Sequence, residues 1–170
     1  MKQIISWILL LTVFAGLSGC NQAPAYEPYE FFYTRSEYNY GAADGVIASE
    51  IRTDISYQSI SFLLGAYLDG PLDEKLTSPF PPNTHIVSAY AQDGTMCIVL
   101  SDSLAQFTGT RLILACACLA KTVMSMENIS VVEIRCETQL LDGKKSILID
   151  ENTVILTDIS TPTEPTSETE

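Results

Sequence analysis

The sequence predicts an α+β fold, a single domain in which two helices pack on one face of a small mixed or antiparallel sheet. Apolar residues recur with a helical period over residues 57–68 and 108–126, and strand-like runs flank both segments. The pair Asp93-Gly94 lies between two of these runs, which is a strong signal for a β-hairpin. The chain has 170 residues, of which 46% are hydrophobic, enough for one domain with a buried core.

The N-terminus has the features of a lipoprotein signal. Lys2 precedes an apolar stretch at residues 4–13, and the sequence LSGC lies at residues 17–20. The apolar stretch is shorter than the ~20 residues that cross a bilayer as a helix. We therefore expect residues 1–19 to be a cleaved signal and Cys20 to carry the lipid, on the extracytoplasmic face of the cell membrane. The alternative is an ordinary secretory signal, in which Cys20 has no such role.

Composition divides the rest of the chain into three parts. Residues 20–28 contain two prolines and small or polar side chains, which is typical of a tether that follows the lipidated cysteine. Residues 29–156 form the predicted domain. Residues 157–170 are acidic, rich in Thr, Ser and Pro, and lack aromatic side chains. Such a segment cannot bury enough apolar surface to offset its ordering entropy, so we expect it to be disordered.

The charge of the chain limits its ligands. The formal net charge is −12 at pH 7, from 21 acidic and 9 basic side chains. An acidic surface of this size repels nucleic acid and anionic lipid headgroups. We therefore expect no nucleic-acid partner, and we expect membrane attachment only through the lipid on Cys20.

The first half of the domain contains two predicted strands and a helix. Residues 30–33 predict the first strand and residues 46–52 a weaker second one. Ser56 is the predicted N-cap of a helix over residues 57–68, whose apolar side chains fall on one stripe. The sequence Asp-Gly-Pro at residues 69–71 ends this helix, because Gly can adopt the left-handed cap and Pro cannot continue a helix.

A proline-rich loop leads to the predicted hairpin. Residues 72–83 contain three prolines and predict an extended loop. Residues 85–91 and 95–101 then predict two strands, joined by the Asp-Gly turn. In the second of these strands, residues 96, 98 and 100 share one face.

The second helix and the last strands complete the domain. Residues 108–126 predict a core helix with a broad apolar face, and residues 129–136 alternate as a half-buried strand does. Residues 147–149 and 154–156 predict short terminal strands.

The chain contains four cysteines besides Cys20, which could form disulfides or remain free thiols. Cys116 and Cys118 lie two positions apart on a predicted helix, so they cannot pair with each other. With Cys97 and Cys136, they leave two disulfides possible in an oxidising compartment, although their apolar neighbours favour four buried free thiols. Zinc is not expected, because Cys-x-Cys on a helix has the wrong spacing and His85 is the single histidine.

Four places in the sequence resemble the GerMN domain family, which occurs in a spore germination protein and in many lipoproteins of spore-forming bacteria. Arg52 follows the second strand, and LGAYLDGP at residues 64–71 resembles the family's helix that ends in an acidic residue, Gly and Pro. LTSPFPPNT at residues 76–84 resembles its proline-containing loop, with Asn83 where Gly is usual. The hairpin comes next, and Val99 stands where the family often has an acidic residue.

The resemblance implies an α+β domain similar to the ring-building motifs of secretion systems and of the sporulation channel. Such motifs assemble through side-by-side contacts of helices and sheet. The resemblance therefore also implies binding to another envelope protein or to a second copy, in sporulation, spore germination or cell-envelope upkeep.

Five apolar residues lie where the amphipathic patterns predict solvent. They are Phe62, Leu114 and Cys118 on the outward arcs of the helices, and Cys97 and Val99 on the strand face away from the helices. An exposed apolar patch can mark a protein interface, so these five are the candidate interface residues. The alternative is that the loops at residues 39–46 and 72–82 fold over them.

No catalytic residue, cofactor or metal ligand is expected. The sequence lacks a Gly-x-Ser-x-Gly elbow, a Gly-rich phosphate loop and a metal-binding His pair. Asp69, Asp93 and Asp142 each precede Gly, which is better explained by turns than by acid–base catalysis. The sequence thus favours a non-enzymatic, membrane-anchored protein-interaction domain. The alternative is a small-molecule or glycan-binding envelope lipoprotein, a class that usually needs two lobes and a deep cleft.

Overall fold

The fold is known from a computed structural model that describes residues 28–37, 45–56, 59–127 and 129–152. Within these ranges the chain forms seven strands, two α-helices and a short 3₁₀ helix at Asp102–Gln106. The helices are α1 (Ile60–Leu68) and α2 (Gly109–Met126). The strands are β1 (Tyr29–Arg35), β2 (Ile47–Arg52), β3 (Leu76–Thr77), β4 (Ile86–Gln92), β5 (Thr95–Leu100), β6 (Val131–Cys136) and β7 (Ile147–Asp150).

Several predictions fall outside the described residues. These are the signal at residues 1–19, the lipidated Cys20, all but the last residue of the tether at 20–28, the strand at 154–156 and the tail at 157–170. They stay predictions.

The predicted α+β class is confirmed, and its strands divide between two sheets. The first sheet has the order β2-β1-β3 with antiparallel pairs. The second has the order β4-β5-β6-β7, in which β5 and β6 are parallel and the outer pairs are antiparallel. Helix α2 contacts β1 of the first sheet and β6 and β7 of the second. Because it lies against both sheets, α2 is buried on more than one side.

Helix α2 is the core helix that the sequence predicts. By length and composition alone it is apolar enough to cross a membrane, yet half of it is buried inside the domain. Its buried residues are Leu112, Ala115, Cys116, Ala117, Cys118, Leu119, Ala120, Thr122 and Val123.

Helix α1 begins later than predicted. The N-cap is Ser59, whose hydroxyl accepts a hydrogen bond from the Phe62 N–H at 3.2 Å. The prediction of Ser56 as the cap is therefore wrong, because a serine nearer the apolar stripe satisfies this N–H group. At the other end, Gly70 has φ 104°, in keeping with the predicted glycine stop.

Side-chain hydroxyls from both helices cover an open edge of β1. On the side away from β2, strand β1 pairs with β3 only at its last two residues, Thr34 and Arg35. Over the rest of this edge, the Phe32 N–H donates to Thr122 Oγ1 and the Ser125 hydroxyl donates to the Glu30 carbonyl oxygen, each at 2.8 Å. The Tyr67 hydroxyl of α1 donates to the Phe32 carbonyl oxygen at 2.8 Å. The helices thus supply the hydrogen bonds that a longer neighbouring strand would make.

Thr122→Val is expected to lower the free energy of unfolding by about 1–3 kcal/mol, because it leaves the Phe32 N–H without its acceptor. Thr122 is fully buried, and valine has nearly the same shape, so no cavity forms. The measurement is urea unfolding, with the exposed Ser125→Ala as a control that should cost clearly less. Equal stability of Thr122→Val and the parent chain would contradict this account of the edge.

An aromatic cluster joins α1 to the first sheet. The Tyr67 ring stacks on Tyr33 with centroids 4.9 Å apart and meets Phe31 edge-on at 5.6 Å and Phe80 edge-on at 5.7 Å. The Tyr33 hydroxyl donates to the Tyr67 carbonyl oxygen at 3.0 Å. Tyr67 is fully buried, so both its ring packing and its hydroxyl contribute to the core.

Candidate interaction surface

A groove lies between α1 and the start of β4. It has a volume of about 370 Å³. Its lining comprises Phe62, Gly65, Ala66, Leu68 and the C-cap Asp69 on one side, and Thr84, His85 and Ile86 on the other. Phe62 is 42% exposed, a large apolar side chain open to solvent at the groove. We call this site the α1–β4 groove.

The polar groups of the groove differ in their partners. His85 Nδ1 lies 3.2 Å from the Asn83 carbonyl oxygen. The Asp69 carboxylate, in contrast, forms no hydrogen bond or ion pair with the residues that the structure describes. It is therefore available to a positively charged group from outside.

The loop before β4 is held by the Asn83 backbone. Asn83 has φ 65°, in the left-handed region that Gly and Asn tolerate best, which accounts for Asn at this position of the proline-containing loop. Its carbonyl oxygen also accepts hydrogen bonds from the hydroxyls of Ser101 and Ser103, each at 3.3 Å. These contacts fix the side of the groove that His85 and Ile86 form.

Cys97 and Val99 are buried, although their positions on the strand predict that they are exposed. Each is only 7% exposed, although both lie on the face of β5 away from α2. Tyr90 pairs with Cys97 and Arg135 pairs with Val99 from the two neighbouring strands, and Arg135 Nη2 donates to the Tyr90 hydroxyl at 3.2 Å. This bridge crosses over β5, so the long side chains of its neighbours cover both residues.

Cys118 and Leu114 are also less exposed than predicted. Cys118 is fully buried and Leu114 is partly buried against the core. The prediction assumed one buried face for α2, whereas this helix contacts two sheets. Of the five candidate interface residues, Phe62 is the one that the structure places clearly in solvent.

Other exposed apolar residues are not identified by the sequence analysis. They are Ile51, Leu72, Val87, Tyr90, Ile113, Leu140 and Leu148. Leu148 lies between the inward-facing Ile147 and Ile149 of β7, so strand alternation could have identified it. Leu140 and Leu72 lie outside the helices and strands, where no periodicity indicates which way a side chain points.

The four described cysteines are free and buried, as the sequence favours. Burial raises the pKa of the Cys116 and Cys118 thiols to about 12. Both therefore stay protonated at neutral pH, and a protonated thiol is neither a nucleophile nor a good metal ligand.

Arg52 belongs to an ion-pair network that has a structural role. Its Nε and Nη2 atoms donate to the two oxygens of Asp54 at 2.7 and 2.8 Å, and its Nη1 lies 3.6 Å from Glu50 Oε1. Glu50 Oε2 accepts hydrogen bonds from the N–H groups of Leu72 and Asp73, both at 2.8 Å. The network therefore ties the end of β2 to the turn after α1. The neighbouring guanidinium holds the pKa of Asp54 below its ordinary value.

The described residues contain no group of three or more His, Cys, Asp or Glu side chains that could hold a metal ion.

Comparisons with known proteins identify the fold. No protein-family profile and no curated protein matches the sequence. Among solved structures, the tandem GerMN domains of the sporulation protein GerM from Bacillus subtilis match with a TM-score of 0.54 and 16% identity, over 75% of this chain and 46% of that one. The first GerMN domain of the same protein matches with a TM-score of 0.52 and 12% identity, over 73% of this chain and 95% of that one. The chain thus spans about half the length of the tandem structure, and it has the fold of a single GerMN domain.

Proposed function

We propose that the chain is a lipid-anchored envelope protein whose GerMN-like domain binds another protein or a second copy and performs no catalysis. The observation that carries this proposal is the α1–β4 groove, where Phe62 is 42% exposed. Burying such apolar surface against a partner is favourable by about 25 cal/mol per Å² before association costs are subtracted. The likeness of the fold to a sporulation protein supports a role in sporulation, spore germination or envelope upkeep.

The lipid anchor is supported by the sequence LSGC at residues 17–20 and by the short link between Cys20 and the domain. Eight residues separate Cys20 from Tyr29, where β1 begins. A fully extended link of this length reaches no further than about 30 Å. A lipid on Cys20 would therefore hold the domain close to the membrane surface.

The non-enzymatic character is supported by the chemistry of the groove. Its ionisable side chains are Asp69 and His85, and the histidine ring is within 3.2 Å of a backbone carbonyl. Among the described cysteines, none is exposed. The described lining contains one hydroxyl group, that of Thr84, which donates to the Pro81 carbonyl oxygen at 2.8 Å, and one carboxylate, that of Asp69. The lining therefore offers neither a nucleophile hydrogen-bonded to a base nor a pair of carboxylates.

Cys20→Ala is expected to release the protein from the membrane or to leave it unprocessed, because no thiol remains to take the lipid. Membrane fractionation with detection of the full chain measures this. A mature-sized chain that still sediments with membranes would contradict the lipid anchor.

Phe62→Ser is expected to abolish function in a complementation assay while leaving the domain folded, because this side chain is largely outside the core. The matched control is Leu148→Ser, which removes an exposed leucine (62% exposed) from β7, away from the groove. Function should survive in the control. Full function of a folded Phe62→Ser variant would contradict the proposal.

A further inference from the structure

Strand β4 has an open and unprotected outer edge. Among the described residues, the outer strands are β2 and β3 in the first sheet and β4 and β7 in the second. Strand β2 contains Glu50 and Arg52, β3 has two residues, and β7 has four residues and ends in Asp150. Strand β4, in contrast, has seven residues, none of which is charged or a proline. Short length, charge and proline are the features that usually keep an edge strand from pairing with another chain.

The pairing of β4 with β5 shows which backbone groups face outward. The turn Asp93-Gly94 has two residues, so Gln92 and Thr95 exchange backbone hydrogen bonds. Hydrogen-bonded pairs alternate with non-hydrogen-bonded pairs along an antiparallel ladder. Ala91 and Ala89 are therefore in non-hydrogen-bonded pairs, and their N–H and C=O groups point away from β5. No described residue bonds to these groups.

The open edge leads to the α1–β4 groove. The register of β4 on β5 shifts between Ile86 and Ser88, which is a bulge that bends the strand. The regular edge therefore extends from Ser88 to Gln92. Ile86, on the other side of the bulge, lines the groove together with Phe62. A segment that pairs with the regular edge can thus place a side chain in the groove.

An unpaired carboxylate lies near each end of β4. Asp69 lines the groove at the start of the strand, and Asp93 is exposed in the turn that follows it. Neither carboxylate forms a hydrogen bond or an ion pair with a residue that the structure describes. The seven residues of β4 span about 20 Å at ~3.3 Å per residue. Since the chain also has a net charge of −12, this edge attracts a basic segment and repels an acidic one.

We propose that the outer edge of β4 pairs with an extended, basic segment of another protein, which adds a strand to the second sheet. Its backbone exchanges hydrogen bonds with Ala89 and Ala91, and its lysine or arginine side chains approach Asp69 and Asp93. An apolar side chain of the same segment packs against Phe62. In this mode of recognition, main-chain hydrogen bonds supply affinity and side-chain contacts supply specificity. The inference rests on the proposed function and names the chemistry of the partner.

Proline substitutions at the outward positions test the strand pairing. Ala89→Pro and Ala91→Pro each remove an N–H that β5 does not use, a change that an edge strand tolerates. The full chain, in intact cells, carries a photo-crosslinking phenylalanine analogue at position 62. We expect each proline to lower the yield of protein adducts by about tenfold, because a hydrogen bond of the added strand is lost. Thermal unfolding of both purified variants should stay cooperative.

The matched control is Ser49→Pro in β2, the outer strand of the first sheet. Ser49 is exposed and pairs with Phe32, whose N–H and C=O bond to side chains of Thr122 and Tyr67. The Ser49 N–H therefore also faces away from its neighbouring strand. The yield of adducts from position 62 should be unchanged in this control.

Asparagine substitutions test the charge of the partner. Asp69→Asn combined with Asp93→Asn should lower the yield of adducts by about threefold, the effect of losing exposed ion pairs. The matched control is Asp142→Asn. Asp142 is exposed, precedes a glycine and has φ 49°, against 50° for Asp93, so the backbone demands on asparagine are the same. Its adducts should match those of the parent chain.

The outcomes separate this inference from the proposed function. Adducts that survive both prolines, adducts with a second copy of this chain only, or equal yields from the asparagine variants and their control would overturn the inference and leave a protein contact at the groove. Loss of cooperative unfolding in both proline variants would show that the domain itself uses these N–H groups, which would also overturn it. The absence of protein adducts from position 62 in the parent chain would count against both.

Discussion

Ile98→Asp is expected to unfold the domain. Ile98 is fully buried in β5, which pairs with β4 on one side and with β6 on the other. An aspartate there buries a carboxylate without a partner, one of the few changes that cost more than about 4 kcal/mol. Domains of this size are stable by only about 5–15 kcal/mol in total. Circular dichroism and thermal unfolding should therefore show loss of the cooperative transition or a large fall in its midpoint.

The control for this substitution is Leu148→Asp. Leu148 is 62% exposed on β7, so the new carboxylate stays in water, and its position opposite Glu133 should lower the stability by no more than about 1 kcal/mol. If Ile98→Asp unfolded like the parent chain, or if both variants lost equal stability, the arrangement of the second sheet would be wrong.

Tyr67→Ala is expected to cost about 3–5 kcal/mol, the range for removing a large aromatic side chain from a core. The ring packs against Phe31, Tyr33 and Phe80, so its loss leaves a cavity between α1 and the first sheet. Urea unfolding of this variant and of Tyr67→Phe separates the ring from the hydroxyl. Tyr67→Phe keeps the ring and removes the hydroxyl that donates to the Phe32 carbonyl oxygen, which should cost about 1 kcal/mol. Equal losses in the two variants would show that ring packing contributes little.

The sequence predicts the positions of the helices and strands well where the periodic pattern is long enough to be visible. Strands β1, β2 and β4–β7 and helix α2 lie close to their predicted positions, because alternation and helical period both report burial directly. Strand β3 has two residues, too few for a period of two to be visible, and its position depends on pairing with the end of β1. The sequence therefore predicts a loop at these residues.

The candidate site is less predictable, because exposure depends on what covers each residue. Cys118 and Thr122 are on the polar side of α2 by helical period, yet both are fully buried because this helix meets two sheets. Cys97 and Val99 lie on an outer sheet face but are covered by the bridge between Tyr90 and Arg135. Phe62 is exposed, as its position on the helical period predicts. The groove beside it depends on the approach of β4, which no local pattern in α1 indicates.

A photo-crosslinking residue at position 62 of the full chain, in intact cells, tests the central claim that the domain acts through a protein contact at the α1–β4 groove. The comparison is the same residue at position 148, where the native leucine is more open to solvent than Phe62 but lies away from the groove. The account predicts discrete protein adducts from position 62 and far fewer from position 148. No adducts from position 62, or equal yields from both positions, would contradict it.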